Sequence, residues 1–278
     1  MAELERLDHT VINVGFEMDR AEALFGNLGF SLTERGYHTL GSINHLMMFG
    51  TDYMELIGLP PETKDPRPDI AEAPAGINGL VFKTADVDAT FAHLEALGMA
   101  GDPPKAFSRP VKLPDGERDA SFRTVHLRSD VFPGGRVYFC EHGTPDLVWR
   151  PEWQDHANGA RAMPEFVVAS EACEREAGNF ARLLRSDVVG DAQAASVAYA
   201  DGCVTILSPA AYGDRYGALA SPMDGRGSIF GAIVIRTGDL AAVRGVIARM
   251  ATPVPTIDEA DRVVLREPIF NAVLDFIA

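Results

Sequence analysis

The strongest constraint on how this chain can fold is an order of elements that recurs along its 278 residues: one strand, one helix, then three strands. The first copy opens at Leu7–Val14, where β-branched residues dominate and polar and apolar positions partly alternate, as a half-buried strand requires. Asp19 follows as a candidate cap, then Ala21, Leu24, Phe25 and Leu28 at helical spacing, with Gly29 where a helix stops. Three short strands are expected at Ser31–Arg35, Asn44–Phe49 and Tyr53–Leu59, divided by Gly36, Gly41 and the Gly50-Thr51-Asp52 turn. The second copy begins with a strand at Ile77–Thr84 and a helix at Val87–Leu97 ended by Gly98. Strands at Ala106–Leu113, Ser121–Leu127 and Arg136–Glu141 complete it, separated by Pro114-Asp115-Gly116 and Pro133-Gly134-Gly135.

Weaker copies fill the second half. The third has a strand at Glu165–Ala169, a helix at Cys173–Leu184, and strands at Ser196–Tyr199 and Val204–Leu207. The fourth has a strand at Ile229–Thr237, a helix at Leu240–Met250, and strands at Arg262–Arg266 and Ala272–Ile277. Lys83-Thr84-Ala85-Asp86-Val87 matches Arg236-Thr237-Gly238-Asp239-Leu240, each at a strand-to-helix junction. Between the halves, residues 143–160 carry both tryptophans, two prolines and no periodicity. Flexible linkers seldom hold tryptophan, so Trp149 and Trp153 are expected to pack this connector against the first half. The reading is an α+β chain of tandem βαβββ modules forming two curved mixed sheets with helices on the outside. The first domain spans 1–150 and a degenerate second domain 151–278.

A net charge of −15 and a pI near 4.8 would repel a phosphate backbone, so no nucleic acid partner is expected. No stretch reaches the roughly 18 apolar residues of a membrane helix, and Met-Ala-Glu-Leu-Glu-Arg lacks a basic segment followed by an apolar one. A cytoplasmic protein with no membrane partner is expected. Cys140, Cys173 and Cys203 are widely spaced without a CxxC pattern, which points to buried free thiols. Neither a nucleotide-binding glycine loop nor a serine-hydrolase elbow occurs.

The strand Leu7-Asp8-His9-Thr10-Val11-Ile12, a helix ending Leu28-Gly29-Phe30 and the strand Tyr53-Met54-Glu55-Leu56-Ile57 resemble the first module of glyoxalase-like proteins of the vicinal-oxygen-chelate superfamily. Phe139–Ala160, with its His-x-Thr-Pro, Trp-Arg-Pro-Glu-Trp and His-x-Asn-Gly-Ala elements, is similar to a less characterised branch of that superfamily. The resemblance implies paired modules forming a half-open cup, with metal ligands from the first and last strands of each module. Residue by residue, it puts ligands at His9 and Glu55, leaves Gly79 at a position that cannot bind, and assigns Glu141 to the last strand with His142 beside it. The implied cofactor is a divalent ion, Fe, Mn, Ni or Zn, with Glu55 and Glu141 catalytic. Adjacent strand residues face opposite ways, so Glu141 and His142 cannot both ligate from regular geometry. The matching positions of the second half fall near Pro164, Thr205 and Ala232, which leaves it chemically vacant apart from Asp275 near a last-strand position.

Each of these residues also has a plainer reading. His9 in an apolar strand fits a satisfied, partly buried side chain, and Glu55 fits a salt bridge to Arg35 or Arg123. His156 with Asn158 fits a turn-shaping pair. Arg109, beside Pro110, together with Arg123 and His126, supplies candidate substrate contacts. The leading expectation is a metal-dependent enzyme of glyoxalase, lyase, isomerase or extradiol-dioxygenase type acting on a small oxygen-bearing substrate in the first-half cup. The alternative is a metal-free small-molecule binding protein of the bleomycin-resistance kind, which Gly79 favours. A homodimer is left open.

Overall fold

The computed structural model describes residues 4–278; residues 1–3, where the N-terminal reading begins, lie outside the described residues. The first half contains β1 (Leu7–Gly15), α1 (Met18–Asn27), β2 (Gly36–Tyr37), β3 (Ile43–Met48), β4 (Tyr53–Gly58), the short α2 (Pro68–Ala71), β5 (Gly76–Lys83), α3 (Val87–Leu97), β6 (Lys105–Leu113), β7 (Gly116–His126) and β8 (Arg136–His142). The second half contains β9 (Ala160–Ser170), α4 (Cys173–Leu184), β10 (Val188–Gly190), β11 (Ala194–Tyr199), β12 (Gly202–Leu207), α5 (Pro209–Tyr216), β13 (Ser228–Thr237), α6 (Leu240–Ala248), β14 (Thr256–Asp258), β15 (Arg262–Glu267) and β16 (Ala272–Ile277).

Each half forms one eight-stranded mixed sheet, in the orders β2-β3-β4-β1-β5-β8-β7-β6 and β10-β11-β12-β9-β13-β16-β15-β14. In both, the first and last strands of a module pair in parallel, and two modules join through antiparallel first strands. The repeated five-residue match marks two helix starts: Asp86 accepts from the backbone N–H groups of Asp88 and Ala89, and Asp239 from that of Ala241. Such caps satisfy donors that have no partner inside the helix. Gly98, at φ 70, ends α3 in the left-handed conformation that glycine adopts without strain.

Some local expectations shift. Ser31–Arg35 is not a strand; Thr33 exchanges bonds with Leu46 through its backbone N–H and its hydroxyl, and the ladder begins only at Gly36. Asp19 lies in the first turn of α1 and pairs with Arg35 instead of capping. The helix α5, unsignalled by periodicity, starts with a Ser208 cap and a proline in its first turn.

The helix-bearing faces of the two sheets share one hydrophobic core. Phe132 meets Phe180 at 4.4 Å between ring centroids, Phe30 meets Phe276 at 6.1 Å, and Phe82 meets Tyr199 at 6.0 Å, each pair crossing from one half to the other. Aromatic burial on this scale contributes about 1.5–3 kcal/mol per side chain, so each half is stabilised by the other. The opposite faces hold separate clusters: Val11, Tyr53, Val81, Phe122 and Tyr138 in the first half, and Val167, Tyr212, Tyr216, Leu219 and Val264 in the second.

The connector is ordered. Trp149 and Trp153 are half-buried against the first-half cluster, with Lys83 Nζ 3.6 Å above the Trp149 ring. His156 accepts from the Ser31 backbone N–H and bonds the Met48 carbonyl, and the Asn158 amide donates to the Leu28 carbonyl. Both hold the connector on the first half. Among the described residues, no helix is long and apolar enough to cross a membrane.

Candidate functional site

The site grows from an irregularity in β1. The pairing of β1 with β5 slips by one residue between Leu7 and His9, so Asp8 is the extra residue of a bulge. A bulge suspends the alternation of faces, and Asp8 and His9 meet side by side, Asp8 Oδ1 lying 2.6 Å from His9 Nδ1. That contact fixes the imidazole so that Nε2 points into the cup, 3.2 Å from the Tyr138 hydroxyl and 3.6 Å from Glu55 Oε2. Tyr53 stacks on the His9 ring at 4.5 Å, and Asn44 donates to Glu55 Oε1 at 2.6 Å.

Asp8 is wholly buried. Burial pushes its carboxyl pKa up, but the charges of and hydrogen bonds from His142 and His9 outweigh this and hold it well below the ordinary carboxylate range. It is therefore a fixed anion behind His9, and Lys83 Nζ stands 3.8 Å from its second oxygen.

Strand register settles which residues occupy equivalent places. Val11 of β1 lies opposite Glu55 in β4 and opposite Gly79 in β5, while Val81 of β5 lies opposite His9 in β1 and opposite Tyr138 in β8. His9 and Gly79 are thus equivalents on the two first strands, and Glu55 and Tyr138 on the two last strands. The ligand position assigned to Glu141 belongs to Tyr138, three residues earlier. Glu141 faces the helix side, where its carboxylate accepts from the Val87 backbone N–H at 2.9 Å and stands 3.7 Å from Arg123. Alternation along β8 is the reason: Tyr138, Cys140 and His142 share the cup face and Glu141 does not. Arg123 is corrected for the same reason, being paired with Asp88 on the outside. His142 is on the cup face, but its Nε2 is bound to Asp8 behind His9, its ring packs on Phe122 and Trp149, and it does not line the cavity.

His9, Glu55, Arg109 and His126 are brought together around one cavity of about 670 Å³. It is lined also by Tyr53, Phe107, Phe122 and Tyr138, and by His38 and Asn44. Burial pushes the imidazole pKa of both His38 and His126 down to about 4, leaving them neutral at physiological pH. His126 stacks on Tyr138 at 4.3 Å. The lining includes five cations (Arg67, Lys105, Arg109, Arg128 and Arg136) and three carboxylates (Glu55, Asp69 and Asp102), a cationic excess inside a protein of net charge −15.

The residues do not fit a three-ligand metal centre at the superfamily position. His9 and Glu55 offer two donors; Gly79 offers none, and a Cβ there would meet Val11 at 2.7 Å. The Tyr138 phenol is pushed well above its ordinary pKa by burial, so it does not readily become a phenolate. One cluster of three donor side chains exists among the described residues, Asp8, Cys140 and His142, with ligand atoms within 4.8 Å of one another. Its thiol is held protonated by burial, and its carboxylate already bridges His9 and His142.

The second cup is filled. Register places Glu165, one residue beyond Pro164, on the His9 position, with Thr205, Ala232 and Asp275 on the other three. The expectation of a chemically vacant half is corrected, since two of these are carboxylates. Arg215 of α5 enters between them, bonding Glu165 at 2.6 and 2.9 Å and standing 3.5 Å from Asp275, while Tyr216 bonds Asp275 at 3.3 Å. The chain supplies its own occupant for this cup.

Asp8, Tyr138, His38 and Asn44 were not picked out by sequence reasoning. Asp8 beside His9 was legible as a pair, but only the bulge turns both to one side; the others needed the register. Tandem βαβββ modules with a chamber on one face are the architecture of the vicinal-oxygen-chelate superfamily, and this chain is a member. Residues 7–184 match the family described as Glyoxalase-like domain, to which the chain belongs. No curated protein matches it. Among solved structures, a hypothetical protein from Staphylococcus aureus is 13% identical with a TM-score of 0.66, covering 98% of this chain and 99% of that one. A mutant 4-hydroxymandelate synthase from Streptomyces coelicolor is 14% identical with a TM-score of 0.59, covering 99% and 93%. A xylose isomerase-like TIM barrel/4-hydroxyphenylpyruvate dioxygenase fusion protein is 15% identical with a TM-score of 0.59, covering 99% of this chain and 49% of its own. At these identities the likeness is one of fold.

Proposed function

We propose that the first-half cup is a metal-independent chamber that binds a small organic molecule, with His9 as its proton-handling group. The observation that carries this is the set of residues on the four equivalent strand positions, His9, Glu55, Gly79 and Tyr138, which supplies two strong metal donors where a stable site wants at least three. What the positions do supply is an acid–base group. Asp8 holds the Nδ1 side of His9, so Nε2 is the nitrogen that exchanges a proton with whatever the cavity encloses. The aromatic walls and the volume suit a ligand of a few to some tens of heavy atoms.

The test is elemental analysis of protein produced with Fe, Mn, Ni and Zn supplied, alongside titration of each ion into purified protein. Well under one equivalent of metal, unchanged in His9→Ala, is expected. One tightly held equivalent that disappears in both His9→Ala and Glu55→Gln would overturn the reading in favour of a metal-dependent glyoxalase or dioxygenase.

A further inference from the structure

Arg109 is the least explained residue in the cavity. It lies in β6, is 4% exposed, and lines the chamber, yet among the described residues it makes no hydrogen bond or ion pair. Its Nη2 is buried and without a partner. Removing a guanidinium from water without an anion costs several kcal/mol, and the two partly buried arginines Arg136 and Arg215 each have a carboxylate partner where Arg109 has none. Arg136 is held by Asn78 and Asp69, and Arg215 by Glu165. Glu55, the nearest candidate partner, is instead engaged by Asn44 and His9. Burial accordingly depresses the Arg109 pKa, with only the more distant Tyr53 and Glu55 acting against it.

The surroundings keep this side chain where it is. A Cβ on Gly36 would clash with Asn44 Oδ1 and meet Arg109 Cδ at 2.9 Å, so only glycine leaves room for Arg109 to lie across β2 and for Asn44 to reach Glu55. Around it stand Phe107 and Phe122, stacked at 5.2 Å, and the neutral His38, which meets Phe107 edge-on. The result is one guanidinium without an ion-pair partner in an aromatic chamber, whereas the other lining cations Arg67, Lys105, Arg128 and Arg136 each pair with an aspartate.

Resting on the reading of this cup as a small-molecule chamber, we infer that its ligand is an aromatic or similarly apolar monocarboxylate whose carboxylate is received by Arg109. A planar guanidinium pairs with a carboxylate through two parallel N–H···O bonds, and one unpaired cation calls for one anionic group. The apolar body then lies against Phe107, Phe122 and Tyr138, in the chamber that His9 Nε2 also faces.

The experiment compares 2-naphthoate with its neutral isostere 2-naphthamide by calorimetric titration of the full chain. Wild type should prefer the carboxylate about tenfold or more, since a charge-assisted pair is stronger than a neutral one. Arg109→Met, which keeps the stem and removes the charge, should erase that preference while still binding 2-naphthamide. Arg109→Lys should retain part of it, and Arg123→Met, on the outer face, all of it. Circular dichroism checks that each variant is folded, and the wild-type preference alone decides the matter if Arg109→Met is not. Equal binding of both compounds to wild type would overturn the carboxylate assignment while leaving the chamber intact. A preference that survives in folded Arg109→Met would overturn the role of Arg109. Binding of neither compound would overturn the chamber reading and this inference with it.

Discussion

Replacing Asp8 by asparagine tests whether the buried carboxylate behind His9 stabilises the fold or burdens it. Two effects oppose each other. Burying a carboxylate costs several kcal/mol, and replacing buried ion pairs is often neutral or stabilising. Against this, Asp8 accepts from His9 at 2.6 Å and from His142 at 3.1 Å, with the Lys83 ammonium 3.8 Å away. Its depressed pKa decides the balance: the ionised form is favoured more in the folded chain than in the unfolded one, so it adds stability at neutral pH. Both imidazoles bond the same oxygen, Oδ1, so an amide oxygen there keeps both bonds but without the charge that strengthens them. Charge-assisted bonds contribute about 1.5–3 kcal/mol each against about 0.5–1.5 for neutral ones, so Asp8→Asn should cost about 2–3 kcal/mol. For a chain of this length that lowers the thermal midpoint by about 4–10 °C. Because the folded pKa lies below the unfolded one, this stabilisation is complete above the ordinary carboxyl range and fades as pH falls through the folded value. The gap between the two proteins should therefore hold from about pH 6 to 8 and narrow below about pH 4. Thermal melts followed by circular dichroism across that range measure it. An asparagine variant as stable as wild type at pH 7, or more so, would refute the reasoning and make Asp8 a burden retained for orienting His9.

Phe180→Ala, which removes a fully buried ring packed on Phe132 of the other half, should cost about 3–5 kcal/mol. Since both tryptophans pack on the first half, their fluorescence and the far-ultraviolet signal should shift together; fluorescence that stays put would argue against a shared core. Arg215→Met should cost a similar amount at neutral pH by leaving the Glu165 carboxylate without an ion-pair partner and Asp275 with only Tyr216 and the more distant Arg262. Burial already raises the Asp275 pKa, so ionising it opposes folding and acid relieves the penalty; urea midpoints should show the deficit shrinking below about pH 5. Glu141→Gln should leave naphthoate affinity unchanged and cost under about 1 kcal/mol, the scale of one interaction at a helix N-terminus; a titration showing lost affinity would return Glu141 to the site.

Local pattern determined a good deal of this molecule. The βαβββ order, the capped starts of α3 and α6, and the tryptophan-bearing connector are all consequences of spacing and of residue types with narrow backbone preferences, so they were legible before any coordinates. So was the placing of His9 and Glu55 on the first and last strands of one module. Glu141 was misjudged because a strand's two faces differ by one residue and a motif aligned by letters carries no register; pairing with β5 put Tyr138 in its place. Asp8 could be seen beside His9, but alternation would have turned it away, and only the bulge against β5 brings it round. The unpaired state of Arg109 and the occupation of the second cup by Arg215 have no signature along the chain. Each depends on which distant side chains arrive within a few ångströms, and that is decided when sheets curve, cores close and charges find partners or fail to.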